Sequence, residues 1–225
     1  MWAVVPVKDM AGAKQRLAPV LDGGERHALY RAMLEDVLTA LCRVRGLDGV
    51  ALVTRDTEAV ALAARHRLRA ISEAANRGHR AAVARAAEVL SEDRADGLLQ
   101  VPGDVPLATA KEIEAVLAAH RPAPAVTLVP SHDAQGTNCI AVSPVDAIPF
   151  LFGDVSFEPH QAVARARGIE PTVLRLPGLA LDIDTPDDLA MLAARPGETR
   201  AQRYLQTSGI AARLAAAAPA RQASG

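Results

Sequence analysis

The sequence predicts an α/β domain with a mainly parallel central sheet. Short β-branched segments alternate with longer helical segments up to about residue 120, as in successive βαβ units. Strand-like segments are more closely spaced after that point, so a small antiparallel addition is expected there. The length of 225 residues suits one domain of this class.

The elements follow in chain order. Residues 2–7 predict the first strand, and residues 25–44 predict the first helix, for which Asp22 is the expected cap because Glu25 lies three residues later. The other predicted strands are 50–54, 68–72, 98–101, 125–130, 139–143, 172–176 and 180–183, and the other predicted helices are 57–66, 80–90, 110–119 and 187–194. Residues 1–210 are expected to form the domain. Residues 211–225, rich in Ala, Pro, Gln and Ser, are expected to form a flexible tail.

Composition excludes several classes of protein. The chain has 25 Lys and Arg against 26 Asp and Glu, and aromatic residues make up only 3%, so a nucleic-acid partner is not expected. Cys42 and Cys139 are far apart, which excludes a thiolate zinc cage and a disulfide scaffold. There is no basic leader, and no run of about 18 apolar residues. We therefore expect a cytoplasmic domain without a membrane partner.

A cationic loop follows the first strand. Lys8, Lys14 and Arg16 flank small residues at positions 11–13, whose backbone amides can approach a ligand closely. Amide donors with fixed positive charge suit triphosphate oxygens. The spacing is not that of a Walker loop, and composition alone fits a solvated surface loop equally well.

Three aspartates are candidate site residues. Asp104 follows the apolar segment 97–101 in a turn rich in Pro and Gly, although an ordinary turn aspartate has the same signature. Asp182 and Asp184 alternate with Ile183, so both can face one cavity, and two such acids are costly without a cation between them. Mg²⁺ is the natural candidate. A helix cap explains residues 184–188 equally well but leaves Asp182 unexplained.

Two Gly-containing segments, 135–138 and 152–157, offer amides and hydroxyls to a carboxylate or a phosphate, and either also fits a turn or a cap. His160 follows the second segment and is expected to be a surface residue. No GxSxG segment or Cys–His pair is evident. If the attacking group is a substrate phosphate, the protein needs no nucleophile of its own.

Taken together, the motifs resemble the CofC/FbiD guanylyltransferases of coenzyme F-420 biosynthesis. The resemblance covers about residues 2–195. Its motifs are Val5-Pro6-Val7-Lys8, Ala13-Lys14-Gln15-Arg16-Leu17, Gly103-Asp104-Val105-Pro106, Gly136-Thr137-Asn138, Phe152-Gly153 with Ser156 and His160, and Leu181-Asp182-Ile183-Asp184-Thr185-Pro186.

The resemblance implies a nucleotidyltransferase fold similar to that of MobA. It also implies a reaction in which GTP and a phosphorylated three-carbon acid (2-phospho-L-lactate, phosphoenolpyruvate or 3-phospho-D-glycerate) give a guanylyl diphospho-acid and pyrophosphate. The roles implied are Mg²⁺ binding by Asp104, Asp182 and Asp184, substrate-phosphate binding by Lys8, carboxylate binding by Thr137, Gly153 and Ser156 largely through backbone amides, and GTP-phosphate binding by Lys14 and Arg16.

At one place the chain departs from this pattern. Many relatives carry Leu-Asn where this chain has His79-Arg80, and Arg80 is expected to add a contact to the nucleotide phosphates. Two alternatives remain open: a transferase that uses another nucleotide or a sugar phosphate, and a non-catalytic nucleotide-binding domain. A homodimer through Ala-rich helix faces and residues 150–157 is also open.

Overall fold

The computed structural model describes residues 1–72, 78–153 and 155–222, and the described strands form one seven-stranded sheet. The strand order is β3-β2-β1-β4-β6-β5-β7. The strands are β1 Trp2–Pro6, β2 Gly49–Thr54, β3 Arg69–Ser72, β4 Leu98–Gln100, β5 Ala125–Pro130, β6 Thr137–Ser143 and β7 Thr172–Val173. The helices are α1 Gly23–Leu41, α2 Thr57–Arg65, α3 His79–Glu92, α4 Ala110–Ala119, α5 Phe157–Ala166, α6 Pro177–Ala180, α7 Pro186–Ala194, α8 Arg200–Thr207 and α9 Ile210–Gln222.

The sheet is parallel except at β6. Strand β1 pairs in parallel with β2 and β4, while β6 runs antiparallel to both β4 and β5. The mainly parallel sheet with an antiparallel addition is therefore confirmed. The carboxyl ends of β1 and β4 lie beside the amino end of β6, so residues distant in the chain meet at one edge.

Both faces of the sheet are covered. Ala3 and Val5 of β1 face a core built with α1, α2, α4, α7 and α8, whereas Val4 faces a second core built with α3 and α5. Each fully buried side chain of this kind contributes roughly 1.5–3 kcal/mol relative to exposure. This two-sided packing holds the strand ends rigidly beneath the loops that follow them.

Helix α1 begins where the sequence predicts a cap. The Asp22 side chain accepts a hydrogen bond from the Glu25 amide at 2.8 Å, and the Glu25 carboxylate accepts one from the Asp22 amide at 3.0 Å. This reciprocal pair satisfies two backbone donors that a helix N-terminus otherwise leaves without partners.

The strand predicted over residues 180–183 is wrong. The short helix α6 ends at Ala180, and residues 181–185 between α6 and α7 form no strand of the sheet. Gly178 fits tightly because an added Cβ would lie 2.3 Å from the Leu107 carbonyl oxygen, and its amide donates to Glu112 at 2.7 Å. The Ile183 amide donates to the Asp104 carbonyl at 3.1 Å, so this segment crosses the strand ends instead of joining the sheet. Strand β7 is likewise shorter than predicted.

The end of the chain is helical where the sequence predicts a flexible tail. Ile210 is buried at the start of α9, and the Arg213 guanidinium donates to both Glu25 carboxylate oxygens, at 2.8 and 2.9 Å. Residues 223–225 of the predicted tail lie outside the described residues. No described helix combines the length and the apolar character that crossing a bilayer requires.

Candidate active site

Two adjoining cavities, of about 830 and 540 Å³, open at the carboxyl ends of β1 and β4 and the amino end of β6. Lys8, His79, Asp104 and Asp184 line both. The two cavities together border the predicted site residues of the chain, which are Lys8, Lys14, Arg16, Arg80, Asp104, Thr137, Gly153, Ser156, Asp182 and Asp184.

The three predicted acids meet in the larger cavity. Asp104 follows β4, and Asp182 and Asp184 precede α7. Ile183 between them is fully buried in the core, as the alternation of the sequence predicts. The backbone hydrogen bond from Ile183 to Asp104 ties the two segments together.

The Lys14 ammonium lies between two of these acids. Its Nζ is 2.5 Å from Asp104 Oδ2 and 2.6 Å from Asp184 Oδ1, and the side chain is almost fully buried. Burial alone would lower the pKa of Lys14, but the two carboxylates outweigh it and raise that pKa above its ordinary value. The backbone of Lys14 has φ 57°, a left-handed conformation that is uncommon for a residue with a Cβ. The sequence predicts a cation in this loop but not its ion pairs.

The third acid has a different environment. Burial, reinforced by the nearby Asp104 carboxylate, raises the pKa of Asp182 to about 6. Asn138 Nδ2 donates to Asp182 Oδ1 at 3.0 Å and also to the carbonyls of Leu179 and Ala180. Asn138 therefore holds Asp182 in place.

Among the described residues, Lys14 pairs with Asp104 and Asp184, and Arg16 Nη1 lies 3.8 Å from Asp184 Oδ2. Asp104 Oδ1 is buried and has no hydrogen-bond partner within the described part of the chain. In residues 1–72, 78–153 and 155–222, no three acidic, His or Cys side chains stand close enough together to hold a metal ion as positioned. We call this region, with Lys8, Lys14 and the three acids, the charged half of the site.

A second network, of uncharged groups, surrounds Thr137 and Ser156, and we call it the neutral half. The Thr137 amide donates to Ser156 Oγ at 2.9 Å, and the Ser156 amide donates to the Gln135 carbonyl at 2.9 Å. His160 Nδ1 lies 2.9 Å from Thr137 Oγ1, and His160 Nε2 accepts from the Leu151 amide at 2.8 Å.

This network corrects two expectations. The backbone amides of Thr137 and Ser156 are already paired, which leaves their hydroxyls as the groups that can meet a ligand. His160 is fully buried rather than a surface residue, and its ring lies between Thr137 at the start of β6 and the Leu151 amide. Gly153 lines the larger cavity and is exposed, while Asp154 of the same segment lies outside the described residues.

Three further residues, His79, Gln100 and Phe152, line the larger cavity. No site role was expected for Gln100 or Phe152 from the sequence. Gln100 Nε2 lies 3.2 Å from His79 Nε2, and Gln100 Oε1 is buried without a hydrogen-bond partner among described residues. The Phe152 ring contacts the rings of both His79 and His160 edge-on, with distances between ring centroids of 4.5 and 5.1 Å. A glutamine in an otherwise apolar strand was the available signal for Gln100.

Known structures share this fold. A crystal structure of a Desulfovibrio desulfuricans protein described as a nucleotide-diphospho-sugar transferase superposes with a TM-score of 0.75, at 16% identity, covering 95% of this chain and 97% of that one. A nucleotidyl transferase of Methanothermobacter superposes with a TM-score of 0.60, at 16% identity, covering 92% and 99%. The nucleotidyltransferase fold is therefore confirmed.

Sequence relatives are closer. The phosphoenolpyruvate guanylyltransferase of Roseiflexus castenholzii is 43% identical over 204 residues, covering 90% of this chain and 92% of that protein. The 3-phospho-D-glycerate guanylyltransferase of Colwellia psychrerythraea is 37% identical, covering 84% and 90%. The 2-phospho-L-lactate guanylyltransferase of Methanothermobacter thermautotrophicus is 31% identical, covering 91% and 89%.

A protein-family profile described as "Guanylyl transferase CofC like" matches residues 1–223. Profile, relatives and fold agree over nearly the whole length of the chain, which belongs to the CofC-like guanylyl transferase family.

Proposed function

We propose that the protein transfers the guanylyl group of GTP to the phosphate of a phosphorylated three-carbon acid and releases pyrophosphate. The observation that carries the proposal is the division of one site into a charged half and a neutral half. Phosphate anions need the cations and metal ligands of the first, and a carboxylate needs the hydroxyl donors of the second.

The first acceptor to test is phosphoenolpyruvate. Relatives that are 43% and 42% identical to this chain carry that name, whereas those named for 2-phospho-L-lactate are 31% and 28% identical. The three candidate acceptor acids differ by only a few atoms around the same phosphate and carboxylate, so a site divided into these two halves could bind any of them.

Asp104, Asp182 and Asp184 are the residues that would hold Mg²⁺. Two observations support this assignment: Asp104 Oδ1 is buried without a hydrogen-bond partner among the described residues, and burial together with the Asp104 carboxylate raises the pKa of Asp182. A bound Mg²⁺ would neutralise phosphate charge so that two anions can approach each other. Lys14 would have to leave these carboxylates, and its flexible side chain would then turn to the GTP phosphates.

The remaining roles follow from position. Lys8, which lines both cavities, would contact the acceptor phosphate, and Arg16 and Arg80 would contact the triphosphate. An oxygen of the acceptor phosphate would form a bond to the α-phosphorus of GTP while the bond from that phosphorus to the bridging oxygen breaks. Pyrophosphate is the leaving group, so alignment and charge neutralisation are the main demands on the protein.

The proposed setting is the cytoplasm, where GTP and phosphorylated acids are available, with no nucleic acid or membrane required. A homodimer remains a proposal that size-exclusion chromatography with light scattering would test.

The test of function is direct. The purified protein is incubated with Mg²⁺, GTP and each of the three acids, and the guanylylated acid is detected by mass spectrometry alongside pyrophosphate. ATP, CTP and UTP in place of GTP test the nucleotide. If no product forms with any of the three acids, the proposal is contradicted. Tight GTP binding without turnover would favour a non-catalytic nucleotide-binding domain.

The metal assignment has its own test. Asp182→Asn and Asp184→Asn should each lower Mg²⁺-dependent pyrophosphate release by about 100-fold to 1000-fold, the scale of losing electrostatic stabilisation at a reacting phosphate. Asp146→Asn, on an exposed loop, is the matched control. Near wild-type turnover in either site variant would overturn the assignment.

A further inference from the structure

His160 is a buried histidine that the proposed reaction does not use directly. It is fully buried in α5 and lines neither cavity, but its ring contacts Thr137 and Phe152, which line the larger one. Its two ring nitrogens both have partners, which makes its protonation state readable from geometry.

The partners of His160 determine which nitrogen carries the proton. The Leu151 amide can only donate, so Nε2, 2.8 Å away, must accept. A neutral ring then carries its proton on Nδ1 and donates it to Thr137 Oγ1 at 2.9 Å. Burial lowers the pKa of His160 to about 4, which keeps the ring neutral.

This arrangement fixes the direction of two hydroxyl groups. Thr137 Oγ1 accepts from His160, and Ser156 Oγ accepts from the Thr137 amide, so each hydroxyl keeps its own proton for another partner. Both residues line the larger cavity, and neither hydroxyl donates to an acceptor within residues 1–72, 78–153 and 155–222. Two donors side by side suit a carboxylate, which only accepts.

We propose that His160 is a positioning residue that makes the Thr137 hydroxyl, beside that of Ser156, a hydrogen-bond donor to the carboxylate of the acceptor acid. The inference rests on the proposed function, since the acid is its ligand. Phe152, edge-on to the His160 ring at 5.1 Å, helps to hold the ring in the required orientation.

The experiment measures KM for the acid and for GTP separately in His160→Leu and Thr137→Val. Each should raise KM for the acid by about 10-fold to 100-fold, the scale of a lost hydrogen bond to a charged group. KM for GTP and kcat should change by less than about 3-fold. The double variant should be no worse than the more affected single one, because both act through one hydrogen bond.

Conservative variants and a matched control separate positioning from folding. His160→Asn keeps a donor near the Nδ1 position, and Thr137→Ser keeps the hydroxyl, so each should recover most of the acid KM. His120 makes a similar pair of contacts, with Thr127 Oγ1 and Ser143 Oγ, and none of these residues lines either cavity. His120→Leu should lower the melting temperature without changing KM for the acid.

The outcomes distinguish the two proposals. If the wild-type protein forms no product with any acid, the proposed function fails. If it does, an unchanged acid KM in His160→Leu, or equal increases in KM for acid and GTP, would overturn the inference. Should His160→Leu not fold, His160→Gln, whose amide reaches the position of Nε2 rather than Nδ1, takes its place, and it should show the raised acid KM that His160→Asn does not.

Discussion

The charged half and the neutral half of the site are held by different forces. In the charged half, Lys14 is placed by ion pairs with Asp104 and Asp184. In the neutral half, Thr137 and His160 are placed by hydrogen bonds between uncharged groups in a fully buried setting. Ion pairs act over several ångströms and tolerate changes of angle, whereas hydrogen bonds weaken steeply with misalignment.

The difference indicates what each half can recognise. A charged region can exchange one cation for another as a triphosphate enters, and its side chains can follow the moving phosphates. A neutral region with fixed donors distinguishes one small group by its position. Variants that disturb only one half should therefore separate nucleotide chemistry from acceptor recognition.

The largest effect is expected from Lys14→Met. Removal of the ammonium leaves Asp104 and Asp184 facing each other, which should lower the free energy of unfolding by about 2–3 kcal/mol. Transfer should fall by about 100-fold to 1000-fold because a phosphate contact is lost. Denaturant titration with and without Mg²⁺ provides the stability measurement, and added Mg²⁺ should recover part of the loss. The exposed Lys111→Met is the control, and an unchanged stability in Lys14→Met would contradict the ion-pair description.

The next effect concerns Asn138, which connects the halves. Asn138→Asp should lower transfer by about 100-fold, since a carboxylate would face two carbonyls and Asp182, and Asn138→Ala by about 10-fold. Both variants should need more Mg²⁺ for half-maximal pyrophosphate release. Gln202→Glu is a matched control, because Gln202 Nε2 also donates to two carbonyls, of Leu192 and Arg195, but lies outside the cavities. A shift in Mg²⁺ demand in that control would argue against a specific role for Asn138.

A smaller effect, on stability, is expected from Asp182→Asn. The pKa of Asp182 is raised from 3.8 to about 6 in the folded protein, so the folded state holds this proton more tightly than the unfolded chain does. Stability from this group is therefore greatest at low pH and is lost as pH rises through that window. The amide should increase the free energy of unfolding by about 1–2 kcal/mol near pH 7.5 and by almost nothing near pH 4. Urea titrations at both pH values test this, and an equal gain at both, or a gain in Asp146→Asn, would contradict it.

The smallest effect is expected from Arg80→Ala. Arg80 is exposed at the cavity edge, so its phosphate contact would be screened by solvent and salt. KM for GTP should rise by about 2-fold to 5-fold at low ionic strength and by less at high ionic strength. Arg85→Ala, exposed on the same helix, provides the comparison. Equal effects of the two variants on KM for GTP would contradict a contact between Arg80 and the nucleotide phosphates.

The sequence predicted the fold well because alternation of strands and helices is a local signal. The prediction was wrong for the segment 180–183, because a short apolar run with alternating acids has the pattern of a strand. Its true path depends on contacts far along the chain, those of Gly178 with Leu107 and of Ile183 with Asp104. No local pattern carries that information.

The candidate site was predictable only in part, for a similar reason. Asp104 follows β4 and Thr137 begins β6, so the sheet topology brings these two to one edge, whereas Asp182 and Asp184 precede α7 and Ser156 precedes α5. The pairing of Lys14 depends on the left-handed turn at its own backbone, and the burial of His160 depends on how α5 packs on the sheet beside β5. Both are consequences of tertiary structure.

The backbone hydrogen bond from Ile183 to the Asp104 carbonyl has a practical consequence. Since it joins main-chain atoms, replacing the carboxylates of Asp104 and Asp184 by amides removes neither its donor nor its acceptor. A chain carrying Asp104→Asn together with Asp184→Asn should keep the contour of the pocket while lacking the charge needed for turnover. Such a protein offers a way to capture nucleotide and acceptor together, unreacted, for crystallography.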